Sequence, residues 1–538
     1  MKHIAVLLSI LLATAFLLAA TTHAATKVTS LTRHDITWTF DKEHTVGQFV
    51  NGDSWVIGPV NIISITNTLS DEKYKPEGFD VSGSMVNPTV DNSSFAASQR
   101  HGFDERVKGY DPALNAALPN GKPLSKDNPL ALKPNQSLVS TVSWLWLDPE
   151  QKEDGCPKVP EDWRSQAFVW PTLRAASVLT VLTEAPPEGS FRPPYAGDDK
   201  TIKFNAKNLR LDRLRNLPPP DSIIAAPVPA ATLHDHATLR PNYTPPLDGD
   251  PPHKPGPISV DTLTRLTSRV WLDLVPGWYG SCVLHPSYNL PIYGREISTI
   301  LQQAMLALHL DWDKFPEKPN KKALAINMAQ IGIDLAGVAD AGGYWPADGG
   351  HAHGRYPAII FAGLLLDDEH MKNAAQWSTR FQEREQVFYV TETDIQRSAD
   401  LDWRDRPFLD KRSGNIAPYK KEMLGMPEWG IRHVEIPNAD NAGWNAMYRD
   451  INAAAIVGFA LALMMTEDGR KTFAHEPYFD YADRLKSSGE ALFSPWYNRP
   501  PTFAQDMWEA HRADYPTTYD KKWDAPEITD YITKPKEQ

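Results

Sequence analysis

The hydrophobic pattern of the chain changes period twice. Residues 4–20 (IAVLLSILLATAFLLAA) are almost unbroken apolar, after Lys2 and before the small residues Thr22 and Ala24. This predicts an export leader, residues 1–24, cleaved after Ala24. The run is short for the roughly 20 residues of a spanning helix. No membrane span is expected after it, so the mature chain is expected to be secreted or periplasmic.

From residue 25 to about 217 the pattern is that of strands. ITWTF (36–40), SWVIGPVNIISIT (54–66), SLVSTVSW (137–144), SVLTVLT (177–183) and IKFNA (202–206) are rich in β-branched and aromatic residues, with Gly, Pro and Asn between them. Strands of this kind predict a β-sandwich. Residues 218–257 hold 12 Pro, including Pro218, Pro219 and Pro220, and read as a linker strapped over the surface.

Beyond 258 the period becomes helical. Leu324, Met328, Ile331, Leu335 and Val338 recur at steps of three and four, as do Ile297, Leu301, Ala304 and Leu308. Each series predicts a helix with one buried stripe. YPAIIFAGLLL (356–366) and NAAAIVGFALALMM (452–465) are apolar all round and predict helices enclosed on every side. Alternating half-buried and enclosed helices point to an α/α-toroid, a double ring of helical hairpins, with an ordinary bundle as the alternative. The expected whole is a multidomain α+β protein: sandwich at 25–217, linker at 218–257, toroid at 258–538.

Composition narrows the chemistry. The formal charge of −12 argues against general nucleic-acid binding, which needs a broad basic surface. Two cysteines, Cys156 and Cys282, leave a bridge between the halves and two free thiols both open. There is no Walker loop, dinucleotide glycine motif or G-x-S-x-G elbow, and no cofactor is expected.

Polar residues gather at helix boundaries of the second half. PGWYGSCVLHPSYNLPIYGREI (276–297) places His285, Tyr288, Asn289, Tyr293, Arg295 and Glu296 together. GGYWPADGGHAHGRYP (342–357) contributes Trp345, Asp348, His351, His353, Arg355 and Tyr356. WGIRHVEIPNADNAGWNAMYRD (429–450) offers Asp440, Asn441 and Arg449 before the other enclosed helix. Aromatic rings for pyranose faces, with many donors and acceptors for rim hydroxyls, suit a sugar chain. Plainer readings stand beside this: structural ion pairs for Arg295 and Glu296, core packing for the tryptophans, and satisfied loop histidines. His351 and His353 with Asp348 also have the spacing of a weak metal motif, although no metal is expected. In the β half, Gln48, Asn51, Asp53, Asn87, Asp104, Arg106 and Tyr110 form a second polar set that either borders the cleft or orders loops.

The segments WTFDKEHTVGQFVNGDSWVIGPV, GSMVNP, SFRPPYAGDDK, NLPIYGREIS, DGGHAHGRYPAIIFAGLLLDDEHM, FYVTETD and FDYADRL resemble those of a group of large secreted bacterial proteins. The helical half resembles α/α-toroid proteins that act on polysaccharides, among them polysaccharide lyases and some glycoside hydrolases. Two-domain toroid lyases usually carry their helical domain first, and this chain departs from that order.

The resemblance and the residues together imply a polysaccharide partner and a lyase that cleaves a uronate-containing glycan by β-elimination. That reaction needs a base, a group that stabilises enolate-like charge, and an acid for the leaving oxygen. His351 or His353 is the expected base and Tyr293 or Tyr356 the acid. Arg295 or Arg355 with Asn289 stabilises charge. His285, Tyr288, Trp345, Asp440, Asn441 and Arg449 are expected to hold the chain. A glycoside hydrolase would instead use two carboxyl groups drawn from Glu296, Asp348 and Asp440. A non-catalytic glycan-binding protein would need only the aromatics. All three readings expect the polar stretches to open at one end of the helical domain.

Overall fold

The computed structural model describes residues 25–68, 78–91, 99–105, 109–146, 152–153, 156–157, 173–225, 259–274, 294–347, 352–399, 419–429, 454–487 and 502–525. Residues 1–24, where an export leader is expected, most of the Pro-rich segment, Cys282 and the side chain of Cys156 lie outside the described residues.

The N-terminal half is built on one sheet. Its strands are β1 (Thr26–Arg33), β2 (Ile36–Gln48), β3 (Ser54–Ile57), β4 (Val60–Asn67), β5 (Gly78–Val86), β6 (Leu130–Leu132), β7 (Gln136–Trp146) and, after the two-residue pair β8 (Lys152–Glu153) and β9 (Cys156–Pro157), β10 (Leu173–Leu182). They run in the order β5-β7-β10-β3-β2-β4-β6, with β1 also on β2. Among the described strands only β10 and β3 pair in parallel. The sequence pattern predicts two packed sheets; the described strands join as one curled sheet, half of a barrel. Gly58 and Pro59 separate β3 from β4, and both strands pair with β2. β3 continues the sheet toward β10 and β4 toward β6.

The two faces of this sheet have different partners. Ile36, Trp38, Val56, Ile62, Leu138, Leu179 and Val181 fill the hollow of the curl. Ala176, Val178 and Val139 point the other way and join a core made mostly of helical residues. Alternation along β10 therefore serves two cores at once.

The helical half comprises α1 (Val260–Thr267), α2 (Gly294–Ala307), α3 (Lys321–Asp340), α4 (Arg355–Leu366), α5 (Glu369–Lys372), α6 (Gln382–Gln386), α7 (Glu392–Ala399), α8 (Ala454–Met465), α9 (Gly469–Phe473), α10 (Glu476–Ser487) and α11 (Thr502–His511). A short ladder, β11 (Val387–Tyr389) with β12 (Pro427–Trp429), follows α6. Helices α4 and α8 are enclosed, as their lack of a polar face requires: residues 355–365 and 455–465 are all buried. Among the described residues no helix is long and apolar enough to cross a membrane.

Helices α2 and α3 differ from the predicted half-buried stripes. In α3 every residue from Leu324 to Ala339 is buried, and in α2 every residue from Ile297 to Ala307. Their polar residues are covered by partners far away in sequence. The guanidinium of Arg192 donates to Asp334 at 2.8 and 2.5 Å and to Asp53 at 2.6 Å. Gln330 Nε2 donates to the Arg192 carbonyl at 3.2 Å. All four residues are buried, and Arg192 is wholly so. Gly337 admits this loop: a Cβ there would stand 2.2 Å from Pro194 Cβ. The ammonium of Lys200 closes the loop on four carbonyls, those of Pro194, Tyr195, Ala196 and Gly197, at 2.7–3.1 Å.

Candidate functional site

The glycine-rich stretch at 342–357 is held at both ends by α6 and the residues before it. On the entry side, Trp345 N donates to the Arg380 carbonyl at 2.8 Å, and the Trp345 ring stacks on Phe381 with centroids 5.8 Å apart. Ala347 N donates to Glu385 at 2.9 Å. On the exit side, Ala352 N donates to Gln382 Oε1 at 2.9 Å and Gly354 N to Glu383 Oε1 at 2.5 Å. Gly354 then caps α4 with a φ of 101°. A side chain there would be strained, and its Cβ would sit 3.2 Å from that of Ser298 on α2.

Three of the expected site residues emerge from this cap. His353 is buried, and its Nε2 lies 3.0 Å from the hydroxyl of Tyr478 on α10. Arg355 is buried too, and its Nε and NH2 grip the two oxygens of Asp273 at 2.6 and 3.0 Å while NH1 donates to the His353 carbonyl at 3.0 Å. Tyr356 is fully buried in α4 and donates its proton to the Phe473 carbonyl at 2.5 Å. Arg384 NH1 donates to the same hydroxyl at 3.1 Å. Burial pushes the Tyr356 phenol up to about 12. Its proton is committed to the backbone, so Tyr356 is placed as a core tyrosine rather than as an acid for a leaving group. Trp345 is likewise buried.

Glu383 and Tyr478 carry no weight in the sequence pattern. Glu383 is buried, and burial pushes its carboxyl up to about 7, against the pull of backbone hydrogen bonds and the Arg355 charge. Its Oε2 has no hydrogen-bond partner among the described residues. Tyr478 is raised well above the usual phenol range, first by burial and then by the charge of Glu383. His353, Arg355, Glu383 and Tyr478 are thus joined by hydrogen bonds or by electrostatic reach. The sequence signal for Glu383 was faint: a Gln pair four residues apart, flanked by Phe381 and Val387.

Other expected residues fall elsewhere. His285, Tyr288, Asn289, Tyr293, Asp348, His351, Asp440, Asn441 and Arg449 lie outside the described residues. Arg295 and Glu296 stand in the first turn of α2, with side chains outside the described residues. Among the described residues no three His, Cys, Asp or Glu side chains group as a metal site.

Part of the polar set of the β half orders structure. Asp53 engages Arg192, and Asn87 donates to Asp198 at 2.8 Å while accepting from Ser137 N at 2.7 Å. The Tyr110 hydroxyl accepts from Asn115 at 3.2 Å, and Arg106 lies outside the described residues. A small cleft lies where the halves meet, lined among others by Asn51, Asp53, Arg192, Arg269, Gln330 and Asp334. Comparison with protein-family models, curated proteins and solved structures finds no match for this chain.

Proposed function

We propose that this is a secreted glycan-active enzyme, a polysaccharide lyase that cleaves a uronate-containing chain by β-elimination, with a helical half arranged as an α/α-toroid whose inner ring includes α4 and α8. The observation that carries the reading is the buried pair His353 Nε2 and Tyr478 Oη at 3.0 Å. In β-elimination one group must take the proton α to the carboxylate and another must protonate the leaving oxygen. Neutral His353 takes the first proton and Tyr478 gives the second. The carbon–oxygen bond breaks as the double bond forms. The bond between the two side chains then returns the proton from His353 to the Tyr478 oxygenate and resets the pair. Arg355 and Glu383 stand beside it where negative charge develops. Because His353 and Tyr478 are covered, the reaction requires the cover to open as substrate enters.

One observation favours a hydrolase instead. A carboxyl raised to about 7, as in Glu383, suits the acid that protonates a glycosidic oxygen. That mechanism needs a second carboxylate, and Asp273, which bonds the first residue of α4, is held by both its oxygens on Arg355.

The test is incubation of the mature protein with neutral and uronate polysaccharides, read by ultraviolet absorbance and by reducing ends. Unsaturated ends are expected from a uronate chain. His353→Gln or Tyr478→Phe should lower that rate about 10²–10⁴-fold, the usual worth of a positioned acid or base. Uronate cleavage without absorbance refutes the lyase and brings the hydrolase forward; binding without cleavage leaves a glycan-binding protein.

A further inference from the structure

Helix α6 turns one arc inward. Gln382, Glu383 and Gln386 are buried, whereas Arg384 and Glu385 are only partly so. The spacing accounts for the arc: positions four apart share a helix face, and Glu383 lies next to the first. Among the described residues, Gln382 Nε2, Glu383 Oε2 and both Gln386 Nε2 and Oε1 lack hydrogen-bond partners. A buried polar atom left unpaired costs about 1–3 kcal/mol. Four such atoms fall on this one five-residue helix.

Two of these side chains are held at one end. Gln382 Oε1 and Glu383 Oε1 are each fixed by a backbone N–H of the 352–354 cap. Their unpaired ends are two-thirds of a donor set: an amide from Gln382, an amide from Gln386 and a carboxyl. We infer that this arc is a carboxylate-recognition subsite, in which Gln382 and Gln386 donate amide N–H groups, and Glu383 a carboxyl O–H, to a ligand carboxylate. A carboxylate has two oxygens and about four lone-pair positions, enough to receive all three donors, where a lone hydroxyl could not. Identifying the ligand as a uronate rests on the lyase reading above; recognition of a carboxylate does not.

The protonation that this requires fits the surroundings. Burial raises the Glu383 carboxyl to about 7, so it holds its proton below neutrality. The groups around it are Arg355 and Tyr356 at the start of α4 and Tyr478 on α10. Asp273 is neutralised by Arg355, while Arg384 turns to the Tyr356 hydroxyl and Glu385 to Arg380.

The test is ligand-observed NMR on the mature chain with glucuronate and, separately, glucose, between pH 5.5 and 8.5. Glucuronate should bind and glucose should not at the same concentration. Glucuronate affinity should fall about tenfold per pH unit above 7, because an ionised Glu383 repels the ligand. In Glu383→Gln, which donates at every pH, that fall should vanish. Glu383→Leu should lose at least tenfold in affinity at pH 6, with near-ultraviolet circular dichroism reporting the fold. If Glu383→Leu does not fold, the pH profile of Glu383→Gln decides. Equal binding of glucose, no binding of glucuronate, or an unchanged pH profile in Glu383→Gln would overturn the subsite. Glucuronate binding with this signature, but no cleavage of any uronate chain, overturns the lyase and leaves the subsite. Unsaturated products formed with no dependence on Glu383 or Gln386 do the reverse.

Discussion

Acid should weaken this fold through His309, and the size of the effect follows from its surroundings. His309 is buried, and burial, reinforced by the nearby charges of Lys321 and Arg215, lowers its imidazole to about 3. Hydrogen bonding demands the neutral ring as well. Nδ1 accepts from Arg215 N at 3.1 Å, and Nε2 lies 3.2 Å from the Thr466 hydroxyl. A second proton on Nδ1 would face an N–H donor. The folded ring therefore resists a proton that the unfolded ring takes up near 6.5. Its contribution is fully present above about pH 6.5 and is lost as pH falls toward 3. By pH 5 the loss amounts to about 2 kcal/mol, a sizeable part of a typical 5–15 kcal/mol. His309→Asn keeps an acceptor for Arg215 N–H but cannot titrate. Urea unfolding of both proteins at pH 7 and pH 5 should show the variant less stable at pH 7, by about 1–2 kcal/mol, yet losing about 2 kcal/mol less than wild type on acidification. If both proteins lose the same stability between the two pH values, His309 is not held neutral as the geometry requires.

Two further outcomes concern the junction of the halves. Arg192→Leu should cost about 3–5 kcal/mol in denaturant unfolding, because Asp53 and Asp334 stay buried without their cation; converting all three to Leu should recover most of that loss. Gly337→Ala should cost about 1–3 kcal/mol, since its Cβ would displace Pro194; a neutral change would mean that the 191–197 loop does not pack on α3 as described.

Much of the architecture was legible in local pattern. The strand-rich first half, the helical second half and the enclosure of α4 and α8 follow from periodicity, because a helix without a polar face has nowhere to lie but inside. The misreadings share one cause. Asn327, Gln330 and Asp334 look like the wet side of α3 until their distant partners are known: Thr264 and Thr267 for Asn327, and Arg192, more than 130 residues earlier, for the other two. The single curled sheet depends on which strand neighbours which, and alternation along a strand does not encode that. At the site, His353 and Arg355 stood out as polar residues before an apolar helix. Glu383 and Tyr478 did not, since QEREQ reads as an exposed turn and Tyr478 as one more aromatic in an amphipathic helix. Burial and contacts across the fold set them apart.

The core of the helical half also contains Met85, Val139, Ala176 and Val178 from the sheet, and Phe103 from the loop after β5. A cut through the Pro-rich segment would therefore not yield two independent modules. The helical fragment would carry Asp334 into solvent without its arginine, beside a bare apolar face where β10 and β7 had lain. The sheet fragment would keep one filled hollow and present an oily back. Each piece would be left searching for the surface it had lost, so recombining the two fragments is a more natural way to dissect this chain than expressing either alone.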